Sequence, residues 1–131
     1  MFVDASALTA ILTGEHDASA LLARLDSHEI RSTSPLAVWE TAIAVSRNLG
    51  LTIDESRTAV EDFLALADIR LEAVPAEAAG VALAAFDRYG KGRHRAALNF
   101  GDCFAYACAR LSHVPMLYKG DDFPLTDIEP A

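Results

Sequence analysis

The chain has 131 residues, of which 52% are hydrophobic and 23% charged, and its formal net charge is −8. This length and composition fit one globular domain with its own core, so we expect a single domain over residues 1–131. The charge argues against a broad basic surface for nucleic acid, although it is compatible with an acidic site that binds cations. No apolar run approaches the roughly 20 residues of a membrane span and no signal-peptide pattern is present, so we expect a cytoplasmic protein with no membrane partner.

The first half of the chain predicts strands alternating with helices. Ser34 and Pro35 are residue types favoured at the N-cap and the first position of a helix. Thr52 and Glu55 have the spacing of a capping box, which predicts the start of the next helix. In chain order the predicted elements are a strand over 1–4, helices over 5–12 and 18–27, a strand over 30–33, and helices over 35–49 and 52–67.

The second half continues the same alternation. It predicts a strand over 69–74, a helix over 75–89, a helix over 99–112, a strand over 115–118 and a short terminal strand around Ile128. Such an order is typical of an α/β domain with a parallel sheet. Cys103 and Cys108 lie five residues apart on one predicted helix and so point to different faces, which predicts packing residues and no disulfide between them.

Carboxylates stand where predicted strands end or helices begin. Asp4 ends the first strand, Glu40 and Asp102 lie near the starts of two helices, and Asp121 and Asp122 follow the last major strand. Open parallel sheets bind ligands outside the carboxyl ends of their strands, so we expect these acids to meet in one cleft. Packed closely, they would repel one another unless a divalent cation lay between them. The pattern predicts a phosphodiesterase site that depends on Mg²⁺ or Mn²⁺.

Most of these acids also have a purely structural interpretation. Asp4 is a favourable N-cap for the first helix. Asp102 would lie in the first turn of a helix capped by Asn99, where the helix dipole favours a negative charge. Asp121 and Asp122 are common turn residues. The residues alone leave both interpretations open for these four acids.

Glu40 is harder to explain structurally. Its neighbours three and four positions away on the helix are apolar, so its carboxylate leaves from an apolar side: Leu36, Ala37, Ile43 and Ala44. Burying an unpaired carboxylate is costly, and such a group is expected to find a cation, a metal or a proton. The position therefore favours a functional role.

The remaining candidates give weaker signals. The four histidines show no two-histidine spacing on one helix face, which argues against zinc, and no Ser-His-Asp motif is present. Lys91, Arg93 and Arg95 form the one basic cluster, which is either a solvated loop or a contact for an RNA backbone.

Two other classes of protein also place acids at strand ends, and this chain lacks their patterns. A haloacid-dehalogenase-type site would need Asp-x-Asp after the first strand, where this chain has Asp4-Ala-Ser6. A receiver domain would need a paired acid there and a phosphoacceptor after its third strand.

Several motifs together resemble a known family. They are Phe2-Val-Asp-Ala-Ser-Ala7, the helix of Glu40, the segment 89–106 with Gly-Lys-Gly-Arg-His and Asn-Phe-Gly-Asp-Cys, and the segment 117–128 with Lys-Gly-Asp-Asp-Phe. The chain resembles PIN-domain ribonucleases and, among them, the VapC toxins of bacterial type II toxin–antitoxin modules. This resemblance implies an α/β PIN domain with a small central parallel β-sheet flanked by helices (α/β/α).

The resemblance also implies roles for individual residues. Asp4 matches the first metal-binding aspartate, Asp102 the aspartate that shares its metal, and Glu40 the central glutamate. Ser6 matches a hydroxyl that holds the acidic cluster in place. The implied cofactor is Mg²⁺ or Mn²⁺, hard ions that prefer oxygen ligands.

The last acid of the family pattern is ambiguous here. Many members have Asp-x-Asp-Phe, whereas this chain has Gly120 where the first of those acids often stands. Asp121 or Asp122 takes the metal-binding and catalytic role, and we favour Asp121. The implied reaction is hydrolysis of RNA with in-line attack at phosphorus, leaving a 5′-phosphate and a 3′-hydroxyl.

The same resemblance implies partners. Members of the family are usually homodimers that pair with a small VapB-type antitoxin in a toxin–antitoxin hetero-oligomer. The predicted function is a metal-dependent endoribonuclease toxin that such an antitoxin neutralises, with Lys91, Arg93 and Arg95 as candidate contacts to RNA. The alternative is a catalytically silent PIN-like module that only binds a protein, although Asp4, Glu40 and Asp102 are all present.

Overall fold

The computed structural model describes residues 1–131, and it contains a four-stranded parallel sheet. Across the sheet the strands lie in the order 69–71, 31–33, 2–3 and 116–117. In register, Phe2 lies opposite Ser32 of one neighbouring strand and Met116 of the other. The sheet is small because each strand has only two or three residues. The strands are β1 (Phe2–Val3), β2 (Arg31–Thr33), β3 (Ile69–Leu71) and β4 (Met116–Leu117).

Six α-helices cover the two faces of the sheet. Successive residues of a strand point to opposite faces, so Phe2 packs with the core under the helices over 78–89 and 100–112, whereas Val3 packs with the core under the helices over 5–12, 18–26 and 53–66. The three layers confirm the predicted α/β/α fold. The helices are α1 (Ala5–Leu12), α2 (Ala18–Asp26), α3 (Pro35–Leu49), α4 (Ile53–Leu66), α5 (Ala78–Tyr89) and α6 (Phe100–Ser112). None of them is long and apolar enough to cross a membrane.

The local signals for helix ends are confirmed. The Ser34 side chain accepts a hydrogen bond from the backbone N–H of Ala37 at the start of α3, and Gly50 ends that helix in the left-handed conformation with φ 67°. Thr52 and Glu55 form the capping box of α4 in both directions. These polar groups satisfy backbone donors that have no partner within the helix.

Three elements differ from the predictions by more than one residue. β3 ends at Leu71, shortly after which the chain reaches Pro75, which has no N–H to donate to a ladder. α5 begins at Ala78, because residues 75–77 form a tighter turn in which the N–H of Ala78 donates to the carbonyl of Pro75 at 3.0 Å. The predicted terminal strand is reduced to one bridge between Met116 and Pro130.

Because the strands are parallel, the segments that follow them lie at one edge of the sheet. Asp4 directly follows β1, and its backbone N–H donates to the carbonyl of Leu117 at the end of β4 at 2.9 Å. Ser34 follows β2 and begins α3, and Lys119 follows β4. The carboxyl ends of these three strands therefore open onto a common region, as the general rule for such sheets expects.

The capping box of α4 provides a test of local stability. We expect Thr52→Ala to lower the free energy of unfolding by about 1 kcal/mol, because it removes the acceptor for the N–H of Glu55. Urea denaturation measures this change. Thr58→Ala is the control, since Thr58 is an exposed threonine inside the same helix; equal losses in the two variants would contradict a specific role of the cap.

Candidate active site

An open cleft of about 470 Å³ lies at the carboxyl edge of the sheet. It brings together side chains from α1, α3, α6 and the segments after α1 and β4. Its charged and hydroxyl groups are those of Asp4, Ser6, Thr9, Glu15, Glu40, Asp102 and Lys119. Four carboxylates and one ammonium group make it strongly acidic. The structure thus brings together three of the predicted acids, which lie 36 or more residues apart in sequence.

Asp4 is the most deeply buried of these acids, with 5% of its surface exposed. It is the N-cap of α1, and its Oδ2 accepts hydrogen bonds from the backbone N–H of Ser6 at 2.9 Å and from the Ser6 hydroxyl at 2.5 Å. The hydroxyl oxygen of Ser6 accepts in turn from the backbone N–H of Lys119 at 3.0 Å. Burial raises the pKa of Asp4, and the bonds from Ser6 act in the opposite direction.

Glu40 extends from the second turn of α3 into the cleft and is half-buried. Its carboxylate makes no hydrogen bond and no ion pair with the protein, and it lies against the backbone of Gly101. Burial, followed by the negative charges of Asp4 and Asp102, raises the pKa of Glu40 to about 7. The structure therefore places an unpaired carboxylate beside two other acids, as expected for acids at one edge of a parallel sheet.

Asp102 lies in the first turn of α6, where it forms a capping box with Asn99. Its Oδ2 accepts from the backbone N–H of Asn99 at 2.8 Å, whereas its Oδ1 accepts no hydrogen bond. Burial raises the pKa of Asp102 to about 6; the bond from Asn99 opposes this, and the charges of Asp4 and Asp122 add to it. The structural role expected for Asp102 is thus present, and the residue also lines the acidic cleft.

Asp121 and Asp122 both lie in an exposed turn after β4, and neither lines the cleft. The two differ in their effect on the site. The charge of Asp122 acts on Asp102 and helps to raise its pKa, whereas Asp121 is not among the groups that do so. Asp122 is therefore the acid of this turn that is electrostatically connected to the cleft.

The basic loop is not part of the cleft wall. Lys91, Arg93 and Arg95 are all exposed, and none of them lines the cleft. Arg93 forms an ion pair with Asp87 of α5 at 2.8 Å and lies over the ring of Phe86. These contacts hold the arginine against α5 on the outside of the molecule.

The sequence reasoning missed Lys119, the cation of the cleft. Its ammonium group forms an ion pair with Glu15 and lies 3.2 Å from Oδ1 of Asp17, so its charge is largely balanced by the loop after α1. The available signal was its position in Lys-Gly-Asp-Asp-Phe, directly before the acidic turn. Glu15 had no comparable signal, because its tie to the cleft is an ion pair with Lys119, which is 104 residues away in the chain.

The donor set of the cleft fits a hard divalent cation. Carboxylate oxygens are the ligands that Mg²⁺ and Mn²⁺ prefer, and the charges of neighbouring acids raise the pKa values of Glu40 and Asp102, as expected where a positive charge would be favourable. No three acidic, histidine or cysteine side chains are close enough to form a ready coordination sphere. Like charges repel, so the carboxylates of one cleft are expected to keep apart in the absence of a shared ion.

The raised pKa values predict a pH dependence of stability. In the unfolded chain Glu40 loses its proton near its ordinary pKa of 4.5. In the folded protein it does so only near a pKa of about 7. Between these values the folded protein holds a proton that the unfolded chain has lost, so the free energy of unfolding falls as pH rises. Asp102 adds the same trend between 3.8 and about 6. In Glu40→Gln we expect a shallower fall, measured by urea denaturation from about pH 4 to pH 8 without divalent cations.

Glu29→Gln is the matched control for this experiment. Glu29 is exposed and has no hydrogen-bond or ion-pair partner through its side chain, so its variant should keep the wild-type slope. An unchanged slope in Glu40→Gln would contradict the burial of an unpaired carboxylate at position 40.

Comparison with known proteins identifies the family. The PIN-domain profile matches residues 1–129. A protein from Mycolicibacterium smegmatis named Ribonuclease VapC is 44% identical over 128 residues, which cover 98% of this chain and 97% of that protein. Ribonuclease VapC30 of Mycobacterium tuberculosis is 42% identical over 128 residues, which cover 98% of this chain and 95% of that protein.

A solved structure agrees with the fold. The crystal structure of Mycobacterium tuberculosis VapC20, described as a sarcin-ricin loop cleaving toxin, superposes with a TM-score of 0.77 over 99% of this chain and 97% of that one. The sequence identity of this pair is 19%, so the similarity concerns the fold alone. The sequence matches and the carboxylates gathered at the sheet edge lead to one conclusion: the chain belongs to the PIN-domain family, among the VapC ribonucleases.

Proposed function

We propose that this protein is an RNA-cleaving toxin of a type II toxin–antitoxin module and that its endoribonuclease activity requires Mg²⁺ or Mn²⁺. The observation that carries the proposal is Glu40, a half-buried carboxylate with no partner in the protein, which shares a cleft with Asp4 and Asp102. Burying a charged carboxylate in that environment costs free energy unless it binds a cation or a proton. Relatives named as ribonucleases at 42–44% identity support the same reaction.

In this proposal Asp4, Glu40 and Asp102 hold the cation. Once bound, Mg²⁺ or Mn²⁺ would offset the phosphate charge and lower the pKa of a coordinated water for attack on the phosphodiester. Ser6 fixes the orientation of Asp4 through two hydrogen bonds, and Asn99 fixes one oxygen of Asp102. Held this way, the side chains lose little freedom when the cation binds.

We assign the fourth acidic role to Asp122 in preference to Asp121. This changes the initial preference, and its support is the effect of the Asp122 charge on Asp102. Both residues are exposed and belong to the same turn, so exposure alone does not distinguish them.

RNA is the proposed substrate, and Lys91 and Arg95 are proposed to contact its backbone. Both are exposed in the loop before α6. Arg93 belongs to the same cluster, but it would have to exchange its ion pair with Asp87 for a phosphate. With a net charge of −8, these few cations provide local contacts only, since broad electrostatic attraction of RNA needs many clustered cations.

The proposed partners are a VapB-type antitoxin and a second copy of the chain, in the cytoplasm. Several large apolar side chains lie on the surface, which supports protein contacts of this kind. An apolar groove of about 420 Å³ lies between α5 and α6. The exposed apolar residues include Trp39, Leu66, Leu83 and Phe100, each with at least 65% of its surface accessible.

The central test compares wild type with Asp4→Asn and Asp102→Asn for cleavage of total cellular RNA. We expect discrete cleavage by wild type with Mg²⁺ or Mn²⁺, none with EDTA, and none by either variant, because each loses a charged ligand. Asp62→Asn serves as the control, since Asp62 is exposed on α4 and does not line the cleft. If folded wild type is inert with every metal and RNA tried, the protein is better described as a silent binding module.

The fourth acid is tested by the pair Asp121→Asn and Asp122→Asn. These substitutions remove the same charge from adjacent exposed positions, so general effects of net charge are matched. We expect Asp122→Asn to reduce the cleavage rate and the affinity for Mn²⁺ more strongly than Asp121→Asn, because the charge of Asp122 helps to raise the pKa of Asp102. The reverse order would restore the role to Asp121.

A further inference from the structure

Gly101, in the first turn of α6, lies directly against the carboxylate of Glu40. A Cβ built at this position would fall 2.6 Å from Cδ and 2.6 Å from Oε2 of Glu40, far inside any normal contact distance. The backbone of Gly101 is ordinary right-handed helix, and it is not among the residues with positive φ. Its lack of a side chain is therefore not required by backbone conformation. It is required by the close approach of Glu40.

Gly80 provides an instructive contrast within the same molecule. It is also a glycine in the first turn of a helix, here α5, but a Cβ at Gly80 would meet nothing within 4 Å. Glycine is unfavourable inside a helix relative to alanine. At position 80 nothing in the packing explains why glycine is present. At position 101 the carboxylate of Glu40 explains it.

We propose that Gly101 is a positioning residue, whose missing side chain lets Glu40 bring its carboxylate to the first turn of α6, beside Asp102. This inference rests on the proposed metal-binding role of Glu40. Asp4 is held by Ser6 and Asp102 by Asn99, but Glu40 makes no hydrogen bond or ion pair. Only the space around it fixes its place, and Gly101 provides that space.

A substitution of Gly101 should affect the acidic cleft more than the stability of the fold. Because no bond holds the Glu40 carboxylate, an added Cβ at position 101 would push the end of this flexible side chain aside with little cost to folding. Alanine also favours a helix more than glycine does. The substitution should therefore leave the protein as stable as before and impair the acidic cleft.

The experiment compares Gly101→Ala with Gly80→Ala. We expect Gly101→Ala to keep or raise the Tm, and to lose about 10- to 100-fold both in Mn²⁺ affinity by calorimetry and in RNA cleavage, the usual cost of losing support for a metal ligand. Gly80→Ala should keep or raise the Tm and leave both functions unchanged. If Gly101→Ala binds Mn²⁺ and cleaves RNA like wild type, the proposal is overturned and the proposed function stands.

A second pair of variants shows whether Gly101 acts through Glu40. Aspartate at position 40 is one methylene shorter, which draws the carboxylate back from the added Cβ. In the Glu40→Asp background, Gly101→Ala should therefore cause a smaller further loss of Mn²⁺ affinity and cleavage than in the wild-type background. A loss as large as in the wild-type background would mean that the substitution disturbs Asp102 or the start of α6, and would refute the positioning role.

A crystal structure of metal-free Gly101→Ala separates this inference from the proposed function. The inference requires the Glu40 carboxylate to leave its wild-type position against α6, whatever the protein binds or cleaves. A carboxylate that remains in place overturns the inference even if wild type is a nuclease. Displacement in the crystal, combined with a wild type that neither binds Mn²⁺ nor cleaves RNA, supports the packing role and refutes the proposed function.

Discussion

The repulsion between partly buried carboxylates that share one cleft is the constraint on which the site depends. Asp4, Glu40 and Asp102 come from three separate elements, and burial and their mutual charges raise the pKa values of Glu40 and Asp102 well above the ordinary range. Such an arrangement is unfavourable for folding at neutral pH. A fold that keeps it despite the cost is expected at a functional site, where local stability is exchanged for chemistry.

The fold counters this repulsion by different means for each acid. Asp4 caps α1 and accepts hydrogen bonds from Ser6, which is itself tied to the segment after β4. Asp102 is bound into the capping box of α6. Both acids therefore serve local structure and the cleft at once, and the structural and functional interpretations of these residues do not compete. Glu40 has no such support, and the shape of the cleft alone decides where its carboxylate lies.

Much of this arrangement could be predicted from local patterns. Ser34 with Pro35, and Thr52 with Glu55, predicted helix starts that the structure confirms, because a cap depends on residues within one turn. The alternation of strands and helices predicted a parallel sheet, and so a shared edge for the acids. The predicted end of β3 and the predicted start of α5 were each wrong by three residues, because Pro75 and the turn after it compete with regular structure.

The sequence by itself determined the fold class, the family and the three acids that the cleft gathers, since these follow from periodicity, capping chemistry and short motifs. The tertiary structure decided which other groups join them. Lys119 reaches the cleft by pairing with Glu15 and Asp17, while Arg93 turns away to Asp87. Gly101 meets Glu40 across a gap of 61 positions in the chain. Contacts between residues so far apart depend on how whole helices pack, which no local pattern specifies.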